Sequence, residues 1–144
     1  MIILPNVQRS EVMRHVIQSL IDISTRKTTQ GHAIFTMNDT LNKLNQKYDF
    51  LKNVKIKDTR FLEFEDPVTV MSGINKIESD DLGKALHDII KTTKYSLGED
   101  AGHFFIKELK NRMGDDYLST FEEMGLDLGI LQLEVEVEEM TRKL

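Results

Sequence analysis

The stretch LQLEVEVE at residues 131–138 decides between two fold classes. Its four apolar residues alternate with one glutamine and three glutamates. Period two is the spacing of a β-strand, so the pattern predicts a strand with one buried apolar face and one exposed acidic face. We therefore predict an α+β fold in which a C-terminal strand returns to the sheet. The alternative is an amphipathic C-terminal helix, which would give a mostly α fold with a small hairpin.

The middle of the chain carries the other strand signals. Residues 54–57 alternate valine or isoleucine with lysine, and residues 62–65 alternate leucine or phenylalanine with glutamate. Residues 58–60 between them are polar and suit a turn. We therefore predict a central β-hairpin or meander that sets lysines opposite glutamates. A further short strand is predicted over residues 68–71.

Two helices are predicted before the hairpin. Apolar residues spaced three and four apart predict the first helix over residues 8–28. A second stripe, from Ile34 to Leu51, has heptad-like spacing, which favours packing against the first helix as a helical hairpin. A competing interpretation makes residues 32–37 a short strand and begins the second helix at about residue 39.

Three more helices are predicted after the hairpin. Ser79 is a good capping residue for a helix that closes near residue 97, with two aspartates in its first turn. The next helix carries apolar residues from Ala101 to Met113, and Gly114 can take the left-handed conformation that ends it. A short helix then covers residues 115–124.

Length and composition limit the class of protein. The chain has 144 residues, which predicts a single globular domain over 1–144. It has no cysteine, so disulfides and thiolate chemistry are excluded, and it has no apolar run long enough to cross a bilayer. We therefore expect a cytoplasmic protein that is not bound to a membrane.

The charge is divided unevenly along the chain. Residues 1–60 hold ten Lys and Arg against five Asp and Glu, while residues 61–144 hold nine against nineteen. A basic face of one copy could then meet an acidic face of another. With the heptad-like seam, this predicts a homo-oligomer, most simply a homodimer. The alternative is that both are ordinary solvated surfaces.

Motifs that would point to an enzyme are missing from the sequence. There is no metalloprotease, nucleotide-binding, nucleophile-elbow or calcium-loop motif, so we predict no catalytic residues and no cofactor. Glu99 and His103 are the candidate metal ligands, because residues four apart on a helix share a face. A stable site needs a third ligand, and none is evident nearby, so we predict no metal site.

One dipeptide has a functional resemblance. His87 and Asp88 lie on a predicted helix, and an acid beside a helical histidine resembles the phosphorelay helices that carry a phosphohistidine. That resemblance would make His87 a phosphoacceptor. It covers only the dipeptide and its helical setting, and the favoured interpretation is a histidine at the edge of a helix beside a surface acid.

A basic stretch over residues 43–61 is the candidate nucleic-acid site. Five lysines and one arginine are interleaved there with Tyr48, Phe50 and Phe61, an arrangement that can bind single-stranded nucleic acid. Tyr48 and Phe50 are expected to pack inward, and the isoelectric point of about 5.4 disfavours binding to phosphates. Nucleic acid is therefore an unlikely partner.

These observations predict a non-enzymatic interaction or regulatory protein that acts as a homo-oligomer. A small-molecule- or metal-dependent enzyme and a nucleic-acid-binding protein acting through residues 43–61 are the alternatives.

Overall fold

The first helix is the centre of the fold. In the computed structural model, which describes residues 8–57, 67–97 and 102–142, α1 spans Arg9–Lys27. Val12, Val16 and Leu20 on its predicted apolar stripe are fully buried. The helix packs against three of the four other described α-helices, and the last helix of the described chain lies farther from it. Small side chains at Ser19 and Ser24 are also buried, which lets neighbouring elements approach α1 on more than one side.

The second helix settles one of the open choices. α2 spans Gln30–Leu44, and Thr29 caps it by accepting a hydrogen bond from the His32 amide at 3.2 Å. The alternative strand at residues 32–37 is therefore wrong. The buried seam continues beyond α2, but the chain turns after Leu44 and a short 3₁₀ helix, Asp49–Asn53, carries Leu51 into the core.

The described sheet has two short antiparallel strands. β1 spans Val54–Ile56 and β2 spans Val68–Val70, with Val54 opposite Val70 and Ile56 opposite Val68. The strand predicted at 54–57 and the short strand predicted at 68–71 are thus confirmed in outline. The predicted partner at 62–65 and the turn at 58–60 lie outside the described residues.

Helices α3 and α4 follow the sequence prediction closely. A 3₁₀ helix, Ser72–Lys76, leads into α3, Ser79–Leu97, which begins with two aspartates in its first turn. α4 spans Gly102–Glu123 and is broken at Gly114, where φ is +74°. Helix α3 passes so close to the end of α4 that a Cβ atom on Gly83 would lie 2.0 Å from the carbonyl oxygen of Met124.

A polar contact holds the second half of α4 against α1. The rings of His15 and Tyr117 stack with centroids 4.2 Å apart and planes 13° apart. His15 Nε2 lies 2.8 Å from the Arg112 carbonyl oxygen, and the Tyr117 hydroxyl donates to Glu11 at 3.3 Å. The hydrogen bond from Arg14 lowers the pKa of Glu11, so this carboxylate stays ionised. Stacking and charge thus fix the direction that α4 takes after its break at Gly114.

The C-terminal segment corrects the main prediction. Residues 131–138 form part of α5, a helix that spans Leu128–Arg142, and not a strand that returns to the sheet. Asp127 caps this helix: its Oδ1 accepts hydrogen bonds from the amides of Gly129 at 2.8 Å and Ile130 at 3.2 Å. The fold is therefore mostly α with a small two-stranded sheet, which is the alternative that the sequence left open. No helix in the described part of the chain is long and apolar enough to cross a lipid bilayer.

Candidate functional site

Helix α5 presents apolar side chains on two opposite faces. The inner face packs on the body of the protein through Leu128, Leu131 and Val135, which are at most 5 % exposed. The outer face holds the most prominent exposed apolar group among the described residues. We call it the outer stripe, and its members are Ile130, Leu133, Val137 and Met140.

The outer stripe is continuous and strongly exposed. Its side chains are 56 to 69 % exposed and follow one another at intervals of three, four and three residues. This spacing keeps them in one line along the helix. Together they expose on the order of 500 Å² of apolar surface, which is the size of the largest apolar patch on a typical monomer, and such patches are often binding sites.

Polar contacts fasten α5 to α3 without using the outer stripe. His87 Nε2 lies 2.9 Å from Glu134 Oε2, and Lys91 Nζ lies 2.9 Å from Glu138 Oε1. Lys91 is also 3.9 Å from Glu134. These contacts and the buried inner face fix the helix before any partner arrives, so a partner would meet an ordered surface.

The same histidine belongs to a polar cluster that joins α3 to the segment after α2. Asp88 Oδ2 accepts hydrogen bonds from the Tyr48 hydroxyl at 2.7 Å and from Lys47 Nζ at 3.2 Å, and His87 Nδ1 is 3.5 Å from Asp88 Oδ1. Burial alone would raise the pKa of Asp88, but the hydrogen bonds from Tyr48 and Lys47 outweigh it and lower that pKa. Burial, together with the bond to Asp88, raises the pKa of Tyr48.

The lowered pKa of Asp88 has a measurable consequence for stability. Because the folded pKa lies below the ordinary value of about 3.9, the ionised group stabilises the fold above that value, and this contribution is lost as pH falls through the folded pKa. We expect Asp88→Asn to lower the free energy of unfolding by about 1 kcal/mol at pH 5. The difference from the unsubstituted protein should be smaller at pH 2.5 in urea titrations, because more of the carboxylate is protonated there.

Asp49 provides the matched control, because it is an exposed aspartate close to the cluster. Asp49→Asn should leave the free energy of unfolding within about 0.5 kcal/mol at both pH values. A loss for Asp88→Asn that is equally large at pH 5 and pH 2.5 would show that the carboxylate charge is not responsible.

An open groove of about 980 Å³ lies beside this cluster. Its walls include Lys84 and His87 from α3, Asp80 and Asp81 at the start of α3, and Gly125 at the turn before α5. Its lining carries four aspartates, two lysines and one histidine, and two of these groups, Asp88 and Lys47, pair with each other. Among the described residues, no three His, Cys, Asp or Glu side chains are grouped to hold a metal ion.

The residues proposed from the sequence are not brought together into one site. Glu99 lies outside the described residues, and the side chain of His103 does too, so the candidate metal pair is not tested. His87 is placed on α3 as expected, but its Nε2 contacts Glu134. In the basic stretch 43–61, Tyr48 and Phe50 are buried as expected, and Lys47 pairs with Asp88, while residues 58–61 lie outside the described range.

The outer stripe was missed because the tail was interpreted as a strand. Two signals in the sequence point to a helix: Asp127 in capping position, and apolar Ile130 and Met140 that fall out of phase with the alternation. Comparison of the chain with protein-family models, with curated proteins and with solved structures finds no match in any of the three.

Proposed function

We propose that this protein is a non-enzymatic interaction protein that acts as a homo-oligomer, and that the outer stripe of α5 is the surface through which copies associate. The observation that carries the proposal is the exposure of four large apolar side chains in one line on an ordered helix. Removing that surface from water favours association, since the hydrophobic effect is its main driving force. The absence of cysteine fits a cytoplasmic setting, which we propose as well.

A second copy is a suitable occupant because the stripe is complementary to itself. Each outer residue can pack against its counterpart on an identical helix, as in the seam of a coiled coil. About 500 Å² of apolar surface with a polar rim approaches the roughly 800 Å² per partner of a standard interface. Two heptads would be too short for isolated peptides, but α5 is already folded against the body, which reduces the entropy lost on pairing.

The mass of the protein in solution tests this proposal. At concentrations of tens of micromolar we expect light scattering to give a multiple of the chain mass of 16.6 kDa, falling to that mass on dilution into the nanomolar range. Moderate salt should not abolish the association, because its main contribution is apolar burial. A mass of 16.6 kDa at all concentrations would refute self-association.

A further inference from the structure

The residue types in the outer stripe specify a particular arrangement of copies. In heptad terms, Ile130 and Val137 occupy one core position, a, while Leu133 and Met140 occupy the other, d. β-Branched residues at a with leucine at d favour two parallel strands over three or four. We propose that the partner of α5 is the α5 of one second copy, lying parallel and in register, so that each outer residue meets its own counterpart. This inference rests on the self-association proposed above.

The charges beside the stripe favour the same orientation. Glu134 and Glu136 occupy the two flanking positions, e and g, on either side of the apolar seam. In a parallel pair, Glu136 would lie near Thr141 of the other copy and Glu134 near its Gly129, so no carboxylate faces another. In an antiparallel pair that matches Leu133 with Val137, Glu134 would approach Glu134 of the other copy, and Glu136 would approach Glu136 of the other copy.

Within the described part of the chain, one of those glutamates has no ion-pair partner. Glu134 is partly compensated by Lys91 at 3.9 Å, and His87 Nε2 lies 2.9 Å from its carboxylate. Glu136 is half-buried, and the neutral side-chain amide of Gln132 donates from Nε2 to Glu136 Oε1 at 2.9 Å. Two such carboxylates facing each other would repel, and among the described side chains none forms an ion pair with Glu136, which disfavours the antiparallel arrangement.

Single cysteines can report the orientation directly, because the chain has none of its own. We would make Ile130→Cys and Met140→Cys, at the two ends of the stripe, and oxidise each with diamide at a concentration where the mass shows association. A parallel pair brings each cysteine opposite itself, so each variant alone should form a disulfide-linked dimer on a denaturing gel. Asn111→Cys, at an exposed position of α4, is the control that measures how much disulfide forms by random collision.

Other cross-linking results would distinguish a wrong orientation from a wrong interface and from the absence of self-association. In an antiparallel pair, residue 130 lies about 15 Å from its counterpart along the axis, too far for a disulfide. Neither variant would then link alone, but a mixture of the two would, which overturns the orientation and leaves self-association intact. An associated protein that links in no combination would place the interface elsewhere. A monomeric protein would refute the proposed function itself.

Discussion

Leu131→Ala is expected to lower the free energy of unfolding by about 3 kcal/mol, whereas Leu133→Ala leaves it within about 0.5 kcal/mol in the monomer. The two residues stand two positions apart in the same alternating tail. On α5, however, Leu131 is 1 % exposed and Leu133 is 60 % exposed. Truncating the buried side chain removes many apolar contacts and leaves a cavity. Truncating the exposed side chain removes few contacts and leaves no cavity.

Urea unfolding at nanomolar concentration measures both variants without the contribution of association. The pair distinguishes the helix from the strand, because a strand would bury both leucines on one face and both substitutions would then be costly. Equal losses of about 3 kcal/mol for Leu131→Ala and Leu133→Ala would therefore contradict the position of α5.

The tail shows why periodicity alone misled the sequence prediction. Residues two apart on a helix differ by about 200° around the axis, so they fall on nearly opposite faces. Leu131 and Val135 face inward, Leu133 and Val137 face outward, and the polar residues between them lie on the flanks. A helix that is apolar on two opposite sides thus reproduces the period of a strand. Each face of α5 keeps the three-and-four spacing of a helix, but that spacing is hidden when the apolar residues of both faces are considered together.

Helices with one buried face could be predicted from the sequence, but only some of the points where they break or end could be. The stripes of α1 and α3 are long and regular, and Gly114 marked the break in α4 because glycine accepts positive φ. Nothing in the spacing from Ile34 to Leu51 indicates that α2 ends at Leu44, since the apolar seam continues through the 3₁₀ helix. The apolar spacing shows which side chains are buried, but either a continuous helix or a helix followed by a 3₁₀ turn can bury them.

The candidate site depended on contacts that no local pattern contains. His87 and Glu134 are 47 positions apart, as are Lys91 and Glu138. Their meeting depends on how α5 lies on α3, which is a property of the packed fold. The outer stripe itself was readable from Ile130 and Met140, provided that the tail was first recognised as a helix.

Val137→Glu is expected to have the largest effect on self-association. Val137 lies inside the stripe and is 60 % exposed in the monomer, so a glutamate there is solvated and the fold is retained. In the associated state, the new carboxylate of each copy would be buried in an apolar seam beside its counterpart, without a partner charge. We expect the dissociation constant to rise at least about 100-fold, which corresponds to about 2.7 kcal/mol.

The control variant carries the same change of charge on a different surface. Asn111→Glu adds one glutamate at an exposed position of α4. It should leave the association of the protein close to that of the unsubstituted chain, because surface charges far from an interface act weakly. Circular dichroism should show the same helix content for both variants.

Sedimentation equilibrium of the unsubstituted protein, Val137→Glu and Asn111→Glu at one concentration of tens of micromolar tests the central claim most directly. We predict twice the chain mass for the unsubstituted protein and for Asn111→Glu, and the single-chain mass of 16.6 kDa for Val137→Glu. Val137→Glu that keeps both its fold and the mass of a dimer would contradict the assignment of the interface to α5.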